Sequence, residues 1–200
     1  MTVVGDIAQT GDLAGAASWE SVFALYVADR WRLAELTVNY RTPAEIMDLA
    51  GTVLTSIDPS LRPPTSVRST GVPPRTVTVD GSLGEAVAAA VREELASLGE
   101  GRLGVIVPAV HWDLVAEAVR SVAPEASFGA DPDLTQPVAV LTVAQGKGLE
   151  FDSVIVVDPH AIETASMRGR SDLYVALTRA TQRLTLIDPR RPAAAETSRS

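Results

Sequence analysis

The sequence contains no cysteine, which excludes a disulfide framework, a thiolate nucleophile and any zinc site built on sulfur. Aromatic residues occupy only 4% of the 200 positions, so a core has to be assembled from Ala, Val, Leu and Ile. Lysine is nearly missing: of 17 basic residues, Lys147 alone is a lysine and the others are arginines. Positive charge is also in deficit, with 25 acidic side chains and a formal net charge of -8, which disfavours an autonomous, electrostatically driven nucleic-acid binder, although a basic stripe can hide inside that sum. Long hydrophobic runs are absent too. Stretches such as Val154 to Val157 are far too short for a bilayer, and no charged segment precedes an apolar one at the N-terminus, so no membrane partner is expected and the reading is cytoplasmic. What remains, 46% hydrophobic and 21% charged, is the composition of a soluble globular protein with one domain as the default.

Hydrophobic periodicity predicts alternating strands and helices. Thr2 to Asp6 reads as a short buried strand running into a turn, and a chain opening in this way reads as a piece of something longer. Trp19 to Ala28 has helical spacing with Ser18 as N-cap, Leu33 to Val38 reads as a strand, and Thr42 is placed to cap a helix with Pro43 at its first position and Glu45 at its third. Asp58 to Arg75, with five prolines, is an extended connection whose order is open. Strands are then expected at 76–79, 103–107, 137–143, 153–157 and 183–187, with helices at 83–98, from His111 and at 171–180. This alternation means an α/β fold with a mostly parallel sheet flanked by helices, in which ligands are sought beyond the carboxyl ends of the strands. Pro189 to Ser200 lacks apolar content and is expected to be a disordered tail.

Polar residues concentrate at the junctions. Gly5-Asp6-Ile7-Ala8-Gln9 follows the first strand and Asn39-Tyr40-Arg41 the second; Thr142 opens a loop containing Lys147-Gly148-Leu149-Glu150-Phe151; and Tyr174-Val175-Ala176-Leu177-Thr178-Arg179-Ala180 precedes the last strand. In this order they resemble motifs III, IV, V and VI of UvrD/Rep-like superfamily 1 helicases. The resemblance implies a RecA-like three-layer fold: residues 1–38 would carry motif III, a strand of the preceding RecA-like domain and a connecting helix, and 39–188 would be the second RecA-like (2A) domain. It also implies ATP with Mg²⁺ bound between two such domains. Tyr40 would stack on adenine, Arg41 and Arg179 would reach the γ-phosphate, Gln9 would sense that phosphate or orient the attacking water, and Glu150 would bond to the ribose. Lys147 and Gly148 either organise the motif V loop or touch the ligand. Asp6 and Thr142 would couple the nucleotide to the nucleic-acid path or the neighbouring domain.

Absences narrow this further. No Gly-x-x-x-x-Gly-Lys-Ser/Thr cradle occurs and no Asp-Glu pair precedes Gly5, so the Mg²⁺ ligands are expected in the first RecA-like domain and the fragment alone is expected to be inactive. About a hundred residues separate Arg41 from Thr142, which leaves no space for the large insert of processive helicases, and Ala144 stands where DNA helicases usually have His. With the acidic charge, these departures resemble the HelD-type ATPases that bind RNA polymerase and release it from nucleic acid. The Arg-rich, Lys-poor usage suggests an actinobacterial, GC-rich source. The alternatives are a true 3'-5' DNA helicase or helicase-nuclease, and a catalytically inert protein-binding module. His111 and His160 lack partners at metal spacing, so no metal site is expected; Trp19 and Trp112 read as core, and Trp31 between Arg30 and Arg32 as packing rather than a base platform.

Overall fold

A computed structural model describes residues 2–5, 19–23, 26, 27, 30–32 and 34–189. Asp6, Gln9, Ser18 and residues 190–200 therefore lie outside the described residues. Among those described, the elements run α1 (Trp19–Phe23), β1 (Val38–Asn39), α2 (Ala44–Ile57), β2 (Thr65–Ser66), β3 (Arg75–Thr78), α3 (Leu83–Leu98), β4 (Leu103–Ile106), a 3₁₀ turn (Ala109–His111), α4 (Trp112–Val122), β5 (Ser127–Phe128), β6 (Val138–Leu141), β7 (Phe151–Val157), α5 (Pro159–Thr164), α6 (Gly169–Leu177) and β8 (Ala180–Asp188).

Six strands form one sheet in the order β3-β8-β7-β4-β6-β5, every pair parallel. The central strands are buried along their length because helices cover both faces, which explains why β4, β6 and β7 read as continuous apolar runs rather than alternating ones. Side-chain alternation divides the core in two. Ile106, Ala139, Leu141, Val154 and Val156 point to the layer of α2, α5 and α6, where Ile46, Ala50, Ile162 and Val175 meet them. Val105, Val138, Val140, Ile155 and Val157 point to α3 and α4, against Val87, Val91, Val115 and Val119. This is the RecA-like three-layer α/β architecture that the motif order implies.

Several sequence expectations are corrected. Residues 2–5 carry no strand and are exposed, since no neighbour among the described residues pairs with them, and an isolated strand leaves its backbone groups to water. The strand expected over 33–38 shrinks to β1, which pairs in parallel with β2 inside the proline-rich stretch; residues 34–37 are exposed and irregular. The 58–75 connection is accordingly folded back rather than merely extended. Thr42 does not cap α2: Pro43 occupies the N-cap without a side-chain bond, and Thr42 is buried with its carbonyl accepting from Asn39 Nδ2 at 3.1 Å and Ser66 Oγ at 2.8 Å. β2, β5 and α5 escaped the periodicity because all three are too short to show a period.

Candidate functional site

The site begins with a turn. Asn39 Oδ1 accepts from the backbone N–H groups of Arg41 at 3.0 Å and Thr42 at 3.2 Å, while its Nδ2 donates to the Thr42 carbonyl and to Ser66 Oγ. This Asx turn reverses the chain just before α2 and holds Tyr40 and Arg41 outward from it. Tyr40 consequently leaves 71% of its surface exposed, an unusual position for one of so few aromatic rings. Asn39 as organiser was missed by reading the motif for ligand contacts; its signal was an Asn immediately before a helix start.

Arg41 Nη1 lies 2.6 Å from Glu150 Oε1, an ion pair formed across 109 positions of sequence. Arg41 Nε, by contrast, is buried without any hydrogen-bond partner.

Glu150 and Arg179 precede β7 and β8 directly, so both sit at the amino edge of the sheet and not beyond its carboxyl ends. The physical reason is that every connection in a parallel sheet must return to the amino edge, and the 142–150 loop and α6 are two such returns. Thr142 stays at the other end of that loop, beside the carboxyl end of β6, where its N–H donates to Gln145 Oε1 at 2.8 Å. Gly148 adopts φ +82°, which a side chain would strain, and Lys147 Nζ reaches Asp172 Oδ1 on α6 at 3.6 Å. The solitary lysine thus links the loop to α6.

Arg179 is only 3% exposed. Its Nε donates to the Val175 carbonyl at 3.1 Å and its Nη1 to the Leu149 carbonyl at 3.3 Å, while the Arg179 carbonyl accepts from Phe151 N–H at 3.0 Å. The guanidinium therefore ties the end of α6 to the residue preceding Glu150. A shallow concavity of about 280 Å³ adjoins this cluster, with Tyr40, Arg41, Met47, Pro64, Tyr174 and Thr178 among its walls. The Asn39–Thr42 turn and the end of α6 share that concavity, and Glu150 is tied to it through its ion pair with Arg41.

Elsewhere, His111 Nε2 and Asp158 Oδ2 are 3.0 Å apart, His160 is exposed, and Trp31 packs with its ring centroid 5.4 Å from that of Phe23. No group of three or more His, Asp or Glu stands together among the described residues, and none of the described helices is long and apolar enough to cross a membrane.

The architecture defines a RecA-like three-layer α/β domain. More particularly, residues 137–187, which span β6 through most of β8, match the family model described as the UvrD-like helicase C-terminal domain. Among solved structures the chain is similar in fold to the C-terminal domain of a possible DNA helicase from Lactobacillus plantarum WCFS1, with 22% identity and a TM-score of 0.57 over 76% of this chain and 88% of that one. It is also similar to the PRRSV helicase, at 20% identity and TM-score 0.41 over 84% of this chain and 26% of that one. Arterivirus nonstructural protein 10, a helicase solved with DNA, matches at 15% identity and TM-score 0.41 over 57% of this chain and 28% of that one. The chain spans only about a quarter of those two viral proteins, and likenesses this distant add nothing to the argument. No curated protein matches the chain.

Proposed function

We propose that this chain is the second RecA-like half of a UvrD/Rep-type motor and that it completes, from one side, an ATP site whose phosphate cradle and Mg²⁺ ligands belong to the first RecA-like domain. The observation that carries this reading is the contact of Arg41 with Glu150 at 2.6 Å, which joins two motifs 109 positions apart beside the exposed Tyr40 ring. Bound ATP with Mg²⁺ would supply the phosphoryl group. Tyr40 offers a flat face to the base, and Arg41, whose side chain is part-exposed, offers its terminal nitrogens to the γ-phosphate. Glu150 faces the ribose once Arg41 turns to phosphate. Arg179 holds Glu150 and the end of α6 in register, and reaches the nucleotide itself when the two domains close. Gln9 of motif III, outside the described residues, senses the γ-phosphate or orients the attacking water, while Asp6, also outside them, and Thr142 at the carboxyl edge couple the nucleotide to the nucleic-acid path or the neighbouring domain.

Within this class we assign the chain to the HelD type, whose partner is RNA polymerase. Support comes from the acidic net charge of -8, from Ala144, and from the region between Arg41 and Thr142, which is filled by α2, β2, β3, α3, β4, α4, β5 and β6 with no separate insert. The test is made on the complete motor that carries this chain. ATP hydrolysis lost on Arg41→Ala, together with copurification with RNA polymerase and no strand separation, is the expected result. Robust unwinding of a tailed duplex overturns the HelD assignment in favour of a 3'-5' helicase, and hydrolysis unchanged by Arg41→Ala overturns the site.

A further inference from the structure

The turn that presents Tyr40 and Arg41 is held from outside by a side chain that none of the motifs contains. Thr65 N–H donates to the Thr37 carbonyl at 2.8 Å and Val67 N–H to the Asn39 carbonyl at 3.0 Å, so the pairing of β2 with β1 runs up to the turn itself. Between these two bonds the half-buried Ser66 sets its hydroxyl against both ends of the turn. Its Oγ donates to the carbonyl of the buried Thr42 at 2.8 Å and accepts from Asn39 Nδ2 at 3.2 Å. The direction of these bonds matters. With its proton spent on the Thr42 carbonyl, Ser66 Oγ offers only lone pairs, so it selects the NH₂ end of the Asn39 amide and leaves Oδ1 to the Arg41 and Thr42 N–H groups. One hydroxyl therefore fixes both the side chain that opens the turn and the carbonyl that closes it.

Ser66 can do this because the segment that carries it is itself anchored. Ahead of it, Pro63 approaches α2 so closely that a Cβ on Gly51 would stand 3.2 Å from Pro63 Cγ, and Pro64 forms part of the concavity wall with Tyr40 and Arg41. Behind it, Ala44 N–H donates to the Arg68 carbonyl at 2.8 Å and Arg68 Nη1 to the Arg41 carbonyl at 3.3 Å. Glu45 then accepts from Ser69 Oγ at 2.5 Å, Gly71 N–H at 2.8 Å and Thr70 N–H at 3.3 Å. A hydroxyl on a segment fixed at both ends loses little freedom when it bonds, and such preorganised support is what keeps a binding side chain in one orientation.

We infer that Ser66 is a positioning residue of the nucleotide site, which acts through Asn39 and Thr42 to keep Tyr40 facing the base and Arg41 facing the terminal phosphate. This rests on the ATP-site reading of the concavity. Ser66 stands behind the turn rather than in the concavity wall, so its whole effect on binding passes through the side chains that the turn presents. Removing one of those side chains must therefore remove the matching part of the Ser66 effect.

The experiment measures binding of fluorescent ADP and of a fluorescent, non-hydrolysable ATP analogue to the complete motor carrying this chain. Ser66→Ala is expected to weaken ADP about fivefold, the equivalent of roughly one net hydrogen bond, and the analogue at least as much because Arg41 loses its orientation too. Ser66→Thr, which keeps the hydroxyl, is expected to bind both probes like wild type. ADP has no γ-phosphate for Arg41, so its loss passes through Tyr40, and adding Ser66→Ala to Tyr40→Ala is expected to weaken ADP no further. A general loosening of the fold would lower affinity with or without the Tyr40 ring, and this coupling separates the two. Wild-type affinity for both probes in Ser66→Ala overturns the inference while leaving the ATP site standing, as does an equal loss of ADP affinity in the presence and absence of the Tyr40 ring. Failure of the wild-type motor to bind either probe overturns the ATP-site reading itself, and this inference with it.

Discussion

Arg41 and Arg179, the two guanidiniums that the motif pattern treats as a pair, occupy opposite environments: Arg41 pairs with Glu150 on an open rim, whereas Arg179 is 3% exposed and bonded to the Val175 and Leu149 carbonyls. Their variants should therefore differ in kind. Arg41→Ala is expected to leave stability within about 0.5 kcal/mol of wild type, because a half-exposed surface pair contributes little. Arg179→Ala should cost about 2–3 kcal/mol by stranding buried carbonyls, in addition to any catalytic loss. Urea unfolding of the two variants distinguishes them; equal stabilities would contradict the burial of Arg179. In the complete motor, removal of either should slow hydrolysis, and a true finger accounts for a factor on the order of 10³ or more.

Asn39 supports both sides of the turn that presents Tyr40 and Arg41. Asn39→Ala leaves the Arg41 and Thr42 N–H groups without their acceptor, and an expected loss of about 1–3 kcal/mol follows. Asn39→Asp keeps the acceptor but not the donor to Thr42 and Ser66, so it should retain part of that stability. Because the turn positions the rim, both variants should weaken nucleotide binding in the complete motor, with Asn39→Ala the weaker binder. Unchanged affinity in Asn39→Ala would show that the turn does not set the site.

Glu45 has its carboxyl held down to about 2 from an ordinary 4.5, first by the Ser69 hydroxyl and then by its own backbone N–H, with burial opposing and the N–H groups of Gly71 and Thr70 adding to the lowering. A carboxyl whose folded-state pKa is lowered adds stability that is fully present above the unfolded value. That contribution fades as pH falls from about 4.5 toward about 2, as protonation releases the 69–71 segment. Unfolding measured across this window should show a slope that Glu45→Gln reduces. A slope identical in Glu45→Gln would mean that other carboxylates carry the acid response.

Glu94 is a carboxylate of α3 buried to 2% exposure, accepting from Ser153 Oγ at 2.8 Å and Thr185 Oγ1 at 3.1 Å and paired with Arg183 Nε at 3.3 Å. It fastens the α3 layer to β7 and β8. Glu94→Ala should destabilise by about 3 kcal/mol, because two buried hydroxyls and a half-buried guanidinium lose their acceptor together. Glu94→Gln, which keeps one acceptor oxygen, should cost less. Thermal melts rank the three proteins, and a Glu94→Ala variant as stable as wild type would deny the network its role.

Gly169 admits no side chain: a Cβ there would stand 2.0 Å from the Glu163 carbonyl oxygen, where α6 starts against the end of α5. Backbone cannot yield as a side-chain tip can. Gly169→Ala is expected to destabilise by about 3 kcal/mol or to prevent soluble expression, and a normal melt would refute the close approach.

The architecture was legible wherever burial imposed a pattern. α3 begins and ends where the spacing of its apolar residues puts it, and β4, β6 and the 153–157 part of β7 lie where the apolar runs lie, because strands covered on both faces favour apolar residues. Elements whose stability depends on distant partners were not legible. β1 and β2 are two residues each and exist through pairing with one another across the proline-rich stretch, and α5 is one short turn set by Asp158, which caps Ala161 N–H from a left-handed backbone conformation.

The same division runs through the site. The order of Asn39-Tyr40-Arg41, Lys147 to Phe151 and Tyr174 to Ala180 is a property of the chain itself, and so are the missing cradle, the single lysine and the acidic balance. Tertiary structure alone decided which arginine is open and which is buried, that Lys147 is spent on Asp172, that the cluster lies at the amino edge, and that Arg68 stands beside Arg41. Linear order records which chemical groups are available, whereas their exposure and charge partners are set by contacts between segments 109 residues apart and more, and those form only when the sheet brings the segments together.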